Sequence, residues 1–323
     1  MKIAKNVLEL IGHTPMVQIN RLNPNNKVNI WAKLEYLNPS GSIKDRIGKY
    51  MIEAAEESGE LKEGGTIVEN TSGNTGLGIS LTAAVKGYKA ILTMPDKTSW
   101  EKINFLKAYG AETVITPTSV PATDPKSYYE TAKRIAKETK NSFYPNQYDN
   151  PKNVEAHYKS TGPEIWKQTD GKIDYFVAGI GTGGTLSGVA QFLKEKKKDI
   201  KIIAVDPIGS VFYEFYKTGI PGEFKPYKVE GIGESKITKA LDFEIIDEII
   251  RVEDKPSFLT ARELAKKEGI FAGGSSGAIM WVAQQLAKRE KNKANIVIIF
   301  PDSGDRYVSK IYNNEWMREN KFL

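Results

Sequence analysis

The stretch DYFVAGIGTGGTLSGVAQFLKEKKKDIKIIAVDP, residues 174–207, decides the fold. It opens with an apolar run over 174–181 that ends in glycines, passes to helical spacing over 185–198, and returns to an apolar run at 200–207. Neither apolar run alternates cleanly with polar residues, which is the pattern of strands covered on both faces of a parallel sheet. A helix between two such strands is the crossover that parallel neighbours need.

Outward from this unit the same alternation continues. TIVEN (66–70), KAILTMP (89–95), ETVITP (112–117) and NIVIIFP (295–301) read as further strands, and 99–109, 126–140, 153–168, 256–268 and 276–290 as helices. The pattern predicts an α/β protein with doubly wound parallel sheets. YPNQYDNPKN (144–153) is a candidate seam, and YEFYKTGIPGEFKPYKVEGIG (213–233), with little periodicity, is expected to be a long functional loop.

Composition narrows the chemistry. The 323 residues contain no cysteine, which excludes disulfides, thiolate catalysis and cysteine-ligated metal or haem. Two histidines, His13 and His157, leave no room for a multi-histidine metal site, so no metal is expected and proton transfer falls to Lys, Tyr, Asp or Glu. The charge of +6 comes from lysines scattered among acids, a solvated surface rather than a nucleic-acid patch. No apolar run reaches the length of a membrane span, and the first residues lack a secretory pattern, so a cytoplasmic protein without membrane or nucleic-acid partners is expected.

Three loops rich in Gly, Ser and Thr each open a helix. NTSGNTGLG (70–78) lets backbone N–H groups approach an anion and adds Ser72, Asn74 and Thr75 as side-chain donors, which suits a carboxylate or phosphate. GIGTGGTLSG (179–188) satisfies G-x-G-x-x-G through Gly179, Gly181 and Gly184, with Asp206 about 20 residues on as a candidate ribose acid of a dinucleotide site. Its threonines, Thr182 and Thr185, equally suit the terminal phosphate of a smaller cofactor. GGSSGAIM (273–280) reads either as close helix packing or as a third ligand loop.

Lys44 gives these loops a centre. In NPSGSIKDRIGKYMIEAAEESG (38–59), turn residues lead into an amphipathic helix, Ser42 and Asp45 resemble a capping box, and Lys44 falls in the first turn. A cation is unwelcome there, and positive potential or desolvation favours the neutral, nucleophilic amine. A lysine so placed, with a phosphate cradle and a carboxylate cradle, is the set of parts a pyridoxal 5'-phosphate enzyme requires.

NPSGSIKDR, TSGNTG, GTGGT, GGSSG and FPDSGDRY stand in the order and spacing of the cysteine synthase and cystathionine β-synthase family, which the chain resembles over essentially its whole length. The resemblance implies the tryptophan-synthase-β type of fold. A smaller, mobile α/β domain at 38–150 carries Lys44 and TSGNTG, a larger one is made of 1–37 and 151–323, and the cofactor lies between them. It implies that Lys44 is the Schiff-base lysine and that Asn74 bonds the cofactor ring oxygen and borders the substrate. Thr71, Ser72, Thr75 and Gln147 then hold the substrate carboxylate, with Gly231 at the edge of the site. Gly181, Thr182, Gly183, Gly184 and Thr185 hold the phosphate, and Ser275 faces the pyridine nitrogen. The implied chemistry is β-elimination and β-replacement on a serine- or cysteine-type amino acid through an aminoacrylate, with a thiol, sulfide or water as nucleophile, by a homodimer. YNNEWMRENKFL, TPTSVPATDPKSYY and VDPIGS place the resemblance nearest the cystathionine β-synthase catalytic core, with neither haem nor regulatory region expected.

Two departures stand out. Asn70 replaces the family's usual proline and is expected to alter the flexibility of the carboxylate loop. Glu234, in EGIGESK (230–236), stands where the family has alanine or an aromatic residue. It reads either as a solvent-facing loop glutamate or, if it faces the cleft, as a carboxylate that could orient or deprotonate an incoming water or thiol, which would suit a cysteine lyase releasing sulfide and forming serine.

Overall fold

A computed structural model describes residues 3–71, 73–96, 98, 100–121 and 123–323. In chain order the strands are β1 (Met16–Ile19), β2 (Val28–Leu34), β3 (Thr66–Asn70), β4 (Lys89–Pro95), β5 (Glu112–Thr116), β6 (Ser142–Phe143), β7 (Tyr175–Gly179), β8 (Lys201–Pro207), β9 (Glu248–Val252) and β10 (Ala294–Phe300). The helices are α1 (Lys44–Ser58), α2 (Asn74–Lys86), α3 (Trp100–Ala108), α4 (Tyr128–Glu138), α5 (Pro151–Ala156), α6 (Gly162–Gln168), α7 (Gly184–Lys196), α8 (Phe212–Thr218), α9 (Asp254–Glu263), α10 (Gly274–Arg289) and α11 (Asn314–Glu319). The chain divides into two compact units, one built from the chain through Gly12 with Asn38–Ala156, the other from His13–Leu37 with His157–Leu323.

The first unit holds a four-stranded, all-parallel sheet in the order β5-β4-β3-β6. Its core gathers Ile67, Leu77, Ile79, Leu92, Ile103 and Leu106 from β3, α2, β4 and α3. Helices α1 and α2 pack at close range because glycines meet: a Cβ on Gly78 would lie 2.5 Å from the carbonyl oxygen of Lys44. That contact fixes the first turn of α1.

The second unit holds six strands in the order β1-β2-β10-β7-β8-β9, parallel except for β1 against β2. Val177, Val205, Ile296 and Ile298 face Phe258, Ile279 and Ala283 in a continuous core. The expected strands and helices recur within one or two residues at most ends, the usual fraying of element boundaries.

The differences have local causes. β1, β2, β6 and β9 escape the sequence reading. VNIWAKL carries the fully buried Lys33, which pairs with Glu164 at 2.8 Å and donates to the Thr14 carbonyl at 2.8 Å, so a charge sits where an apolar residue is expected. The predicted helix over 153–168 is three pieces, with a π-helical turn at His157–Thr161 between α5 and α6. The expected loop at 213–233 begins instead inside α8, whose Phe212 and Phe215 both pack on Phe243. Seven residues are too few for a helical period to show.

Candidate active site

In the first unit, Lys44 is half-buried at the first position of α1. The turn before it is tied differently from a capping box. Ser42 Oγ accepts from the Lys44 N–H at 3.2 Å, and the Asp45 carboxylate reaches back to the N–H of Ser40 at 2.6 Å and to its hydroxyl. Ile43, not Ser42, is the N-cap, so a carboxylate buried in the first turn offsets some of the positive potential around Lys44.

The TSGNTG loop runs from the end of β3 into α2. Thr71 is buried; its N–H donates to the Thr93 carbonyl at 3.0 Å, and its Oγ1 accepts from Gly73 and Gly76 N–H groups at 3.2 and 3.3 Å. Thr75 donates to Gln147 Oε1 at 2.5 Å, which brings the two predicted carboxylate ligands together. Asn74 is half-buried at the first residue of α2. Ser72 lies outside the described residues.

Behind this loop is a buried support that the sequence reading assigns no role. Both oxygens of Glu69 accept backbone N–H groups, from Asn70 at 3.0 Å and Gln147 at 3.2 Å. Asn70 Oδ1 accepts from the Tyr144 hydroxyl, while burial and then the Glu69 charge push the Tyr144 pKa far up, keeping it a neutral donor. Asn70 is thus a fixed, fully buried member of the cluster.

In the second unit, the loop Gly181–Thr185 joins β7 to the start of α7. A Cβ on Gly181 would meet the Gly231 carbonyl at 2.8 Å. Gly183 has φ +95 and would drive a Cβ to 2.7 Å from the Leu241 N. Bare backbone is therefore obligatory on both counts. Thr238 donates to the Thr182 carbonyl at 2.8 Å, and Thr185 Oγ1 lies 3.1 Å from His157 Nε2. His157 is fully buried and its Nδ1 lies 2.9 Å from Thr161 Oγ1, so the π-helical turn presents the imidazole to Thr185. The histidine was visible in the sequence, but its partner 28 residues away was not.

Gly231 is exposed and Glu234 half-buried on a segment fixed to the same loop, through a Gly233 N–H to Ile180 carbonyl bond of 2.6 Å. Ser275 is buried in the first turn of α10, beside Ser276, whose buried Oγ has no hydrogen-bond partner. Glycine-exposed N–H groups, two threonine hydroxyls and the start of a 13-residue helix fit a phosphate dianion, and the Ser275–Ser276 hydroxyls fit a neutral ring acceptor. Asp206, the ribose acid of the dinucleotide alternative, is fully buried and accepts from the Tyr213 N–H at 3.1 Å, enclosed by its own chain rather than offered to a ribose. Among the described residues no acidic or histidine cluster could hold a metal, and no helix is long and apolar enough to cross a membrane.

Residues 7–302 match the family model described as "Pyridoxal-phosphate dependent enzyme". The chain belongs to that family. Its cofactor is accordingly pyridoxal phosphate, and its two parallel-sheet units have the tryptophan-synthase-β type of fold. The chain is 46% identical to a cystathionine beta-synthase of Apis mellifera over 324 residues, 100% of this chain and 64% of that protein. It thus spans less than two thirds of that relative. It is 45% identical to a cysteine synthase of Staphylococcus aureus (strain Mu50 / ATCC 700699), covering 95% of this chain and 96% of that one. Among solved structures it resembles an O-acetylserine dependent cystathionine beta-synthase from Helicobacter pylori, with a TM-score of 0.89 and 37% identity over 97% of this chain and 100% of that one.

Proposed function

We propose that this chain catalyses β-elimination and β-replacement on a serine- or cysteine-type amino acid, in the manner of a cysteine synthase or cystathionine β-synthase of sulfur amino-acid metabolism. The observation that carries the reading lies within one unit. Lys44 opens a helix packed on α2, and α2 begins with the Thr71–Thr75 loop that Gln147 backs. A nucleophilic amine and a carboxylate cradle on abutting elements are what an amino-acid substrate needs.

Lys44 would hold the cofactor and, once released from it, take the proton from the substrate Cα. Thr71, Ser72, Thr75 and Gln147 would hold the substrate carboxylate, and Asn74 would orient the ring oxygen. Gly181–Thr185 would hold the phosphate, with His157 fixing the Thr185 hydroxyl. Bound pyridoxal phosphate supplies the electron sink that acidifies Cα and lets the β-substituent leave. Ser275 would keep the ring nitrogen uncharged, favouring elimination over reactions that need a stronger sink.

A second reading follows from Glu234. Its neighbour Gly233 is bonded to Ile180 at the entry of the Gly181–Thr185 loop, which supports a reading in which a carboxylate on this segment would direct water. Water as nucleophile would convert cysteine to serine and sulfide. A cytoplasmic homodimer accompanies either reading.

The test is to give the cofactor-loaded protein L-cysteine, L-serine and O-acetyl-L-serine in separate reactions, with and without sulfide or homocysteine, and to quantify sulfide, acetate and new amino acids. Loss of a β-substituent from at least one donor is expected. Cofactor retained with no donor losing its β-substituent would end the proposal. Serine formed from cysteine alone, and lost in Glu234→Ala, would select the water reading.

A further inference from the structure

The bonds that hold Gln147 begin at Tyr144, just after the two-residue strand β6. The Tyr144 hydroxyl donates to Asn70 Oδ1 at the end of β3, and the Asn70 carbonyl accepts from Gln147 Nε2 at 3.4 Å. Gln147 Oε1 in turn accepts from the Thr75 hydroxyl at 2.5 Å. The backbone follows the same route, because Glu69 takes the Asn70 N–H on one oxygen at 3.0 Å and the Gln147 N–H on the other at 3.2 Å. Asn70, Gln147 and Thr75 are all buried, where a hydrogen bond is stronger than it is in water.

Packing does not account for an asparagine at the centre of this series. With Oδ1 given to Tyr144, Asn70 Nδ2 is buried and meets no acceptor among the described residues. An apolar side chain of similar volume would avoid that cost. Its backbone is tied just as closely to the cradle. Asn70 lies opposite Thr93 of β4, and the N–H of the next residue, Thr71, donates to the Thr93 carbonyl at 3.0 Å. A shift at Asn70 therefore passes directly to Thr71.

We infer that Asn70 is a positioning residue for the carboxylate cradle. Held by Tyr144 through its side chain, Asn70 takes one Nε2 hydrogen of Gln147 on its carbonyl and so fixes which way that amide is turned. Oε1 faces Thr75, and the second Nε2 hydrogen is left for an incoming carboxylate oxygen. Asn153 secures Gln147 from another side, donating to its backbone carbonyl at 2.7 Å. Asn70 and Tyr144 act through Gln147 rather than on the amino acid itself.

The series of bonds stands on geometry within one unit. Its bearing on substrate rests on the proposed reading of Thr71–Thr75 and Gln147 as the carboxylate cradle. Tyr144→Phe removes one oxygen and keeps the ring; Asn70→Leu removes the acceptor and keeps the N–H. Amide hydrogen exchange on the cofactor-loaded proteins reads the effect without turnover. Protection of the Thr71 and Gln147 amides should fall about tenfold in Tyr144→Phe, about as far in Asn70→Leu, and no further in the double variant, because the two side chains share one bond. The Ile52 amide of α1, in the same apolar core, should keep its wild-type protection. An unchanged Gln147 amide, losses that add in the double variant, or an equal loss at Ile52 would overturn the inference. Should Asn70→Leu fail to fold, the contrast between Gln147 and Ile52 in Tyr144→Phe decides alone.

With a donor the enzyme accepts, Tyr144→Phe should raise KM about tenfold, nearly keep kcat, and leave the visible absorption of lysine-bound cofactor intact. A fall in kcat at unchanged KM, or lost absorption, would contradict the positioning role. If no donor reacts while the amides respond as expected, the proposed reaction fails and the series of bonds stands.

Discussion

At Asp206 the cost of burying a carboxyl sets a pH dependence whose sign is fixed. Its pKa rises from 3.8 to about 7 on folding, so the folded chain holds a proton that the unfolded chain gives up across that interval. Stability therefore falls as the pH climbs from about 4 to about 7, by on the order of 4 kcal/mol, and levels off above. Urea unfolding at about pH 5 and about pH 8 should show a smaller decline for Asp206→Asn than for the wild type. Parallel declines would mean that another group carries the effect. At His157 the expectation is narrower. Removing the imidazole leaves the Thr185 and Thr161 hydroxyls without its two bonds. His157→Ala should weaken pyridoxal phosphate binding about tenfold, roughly 1.4 kcal/mol, but leave binding of phosphate-free pyridoxal nearly unchanged. Fluorescence titration with both compounds reads the difference, and equal losses would place His157 in general packing instead.

Among the elements, the meeting of α1 and α2 fixes Lys44, and Gly78 is where a methyl group tests it. A Cβ there meets the Lys44 carbonyl oxygen at 2.5 Å and the Asp45 Cα at 3.0 Å, backbone that can yield only by moving the first turn of α1. Gly78→Ala should cost about 1–3 kcal/mol and also diminish the visible absorption of lysine-bound cofactor. Gly87, at the end of α2 with φ +77 and nothing within 4 Å, is the comparison: its alanine variant should cost about 1 kcal/mol and leave the absorption intact. The same local character explains what could be read in advance. TIVEN and NIVIIF announce buried parallel strands because consecutive Ile and Val residues put an apolar side chain on each face, and the three glycine loops announce themselves because a positive φ or a close backbone approach is a local demand. Lys33 hid β2 because its partner Glu164 is remote in sequence. His157, Glu69 and Tyr144 went unassigned for the same reason: each acts through a partner that only the fold supplies. The Ser42/Asp45 pair does not form the expected capping box, because Asp45 bonds back to Ser40 rather than to the cap.

For the whole molecule, two apolar cores, one around β3 and β4 and one around β7 and β10, predict that unfolding is not a single all-or-none event. Pulsed hydrogen exchange across a urea series should give separate midpoints for the amides of β4 and of β10. Coincident midpoints would show one cooperative unit. The central claim is that one amine, set at the start of α1, carries the cofactor for a chain that has no cysteine and only two histidines to offer. Borohydride reduction of the cofactor-loaded protein, followed by peptide mapping, tests it most directly. The account predicts the cofactor's mass on the peptide containing Lys44; an unmodified Lys44, or the label on any other lysine, would contradict it.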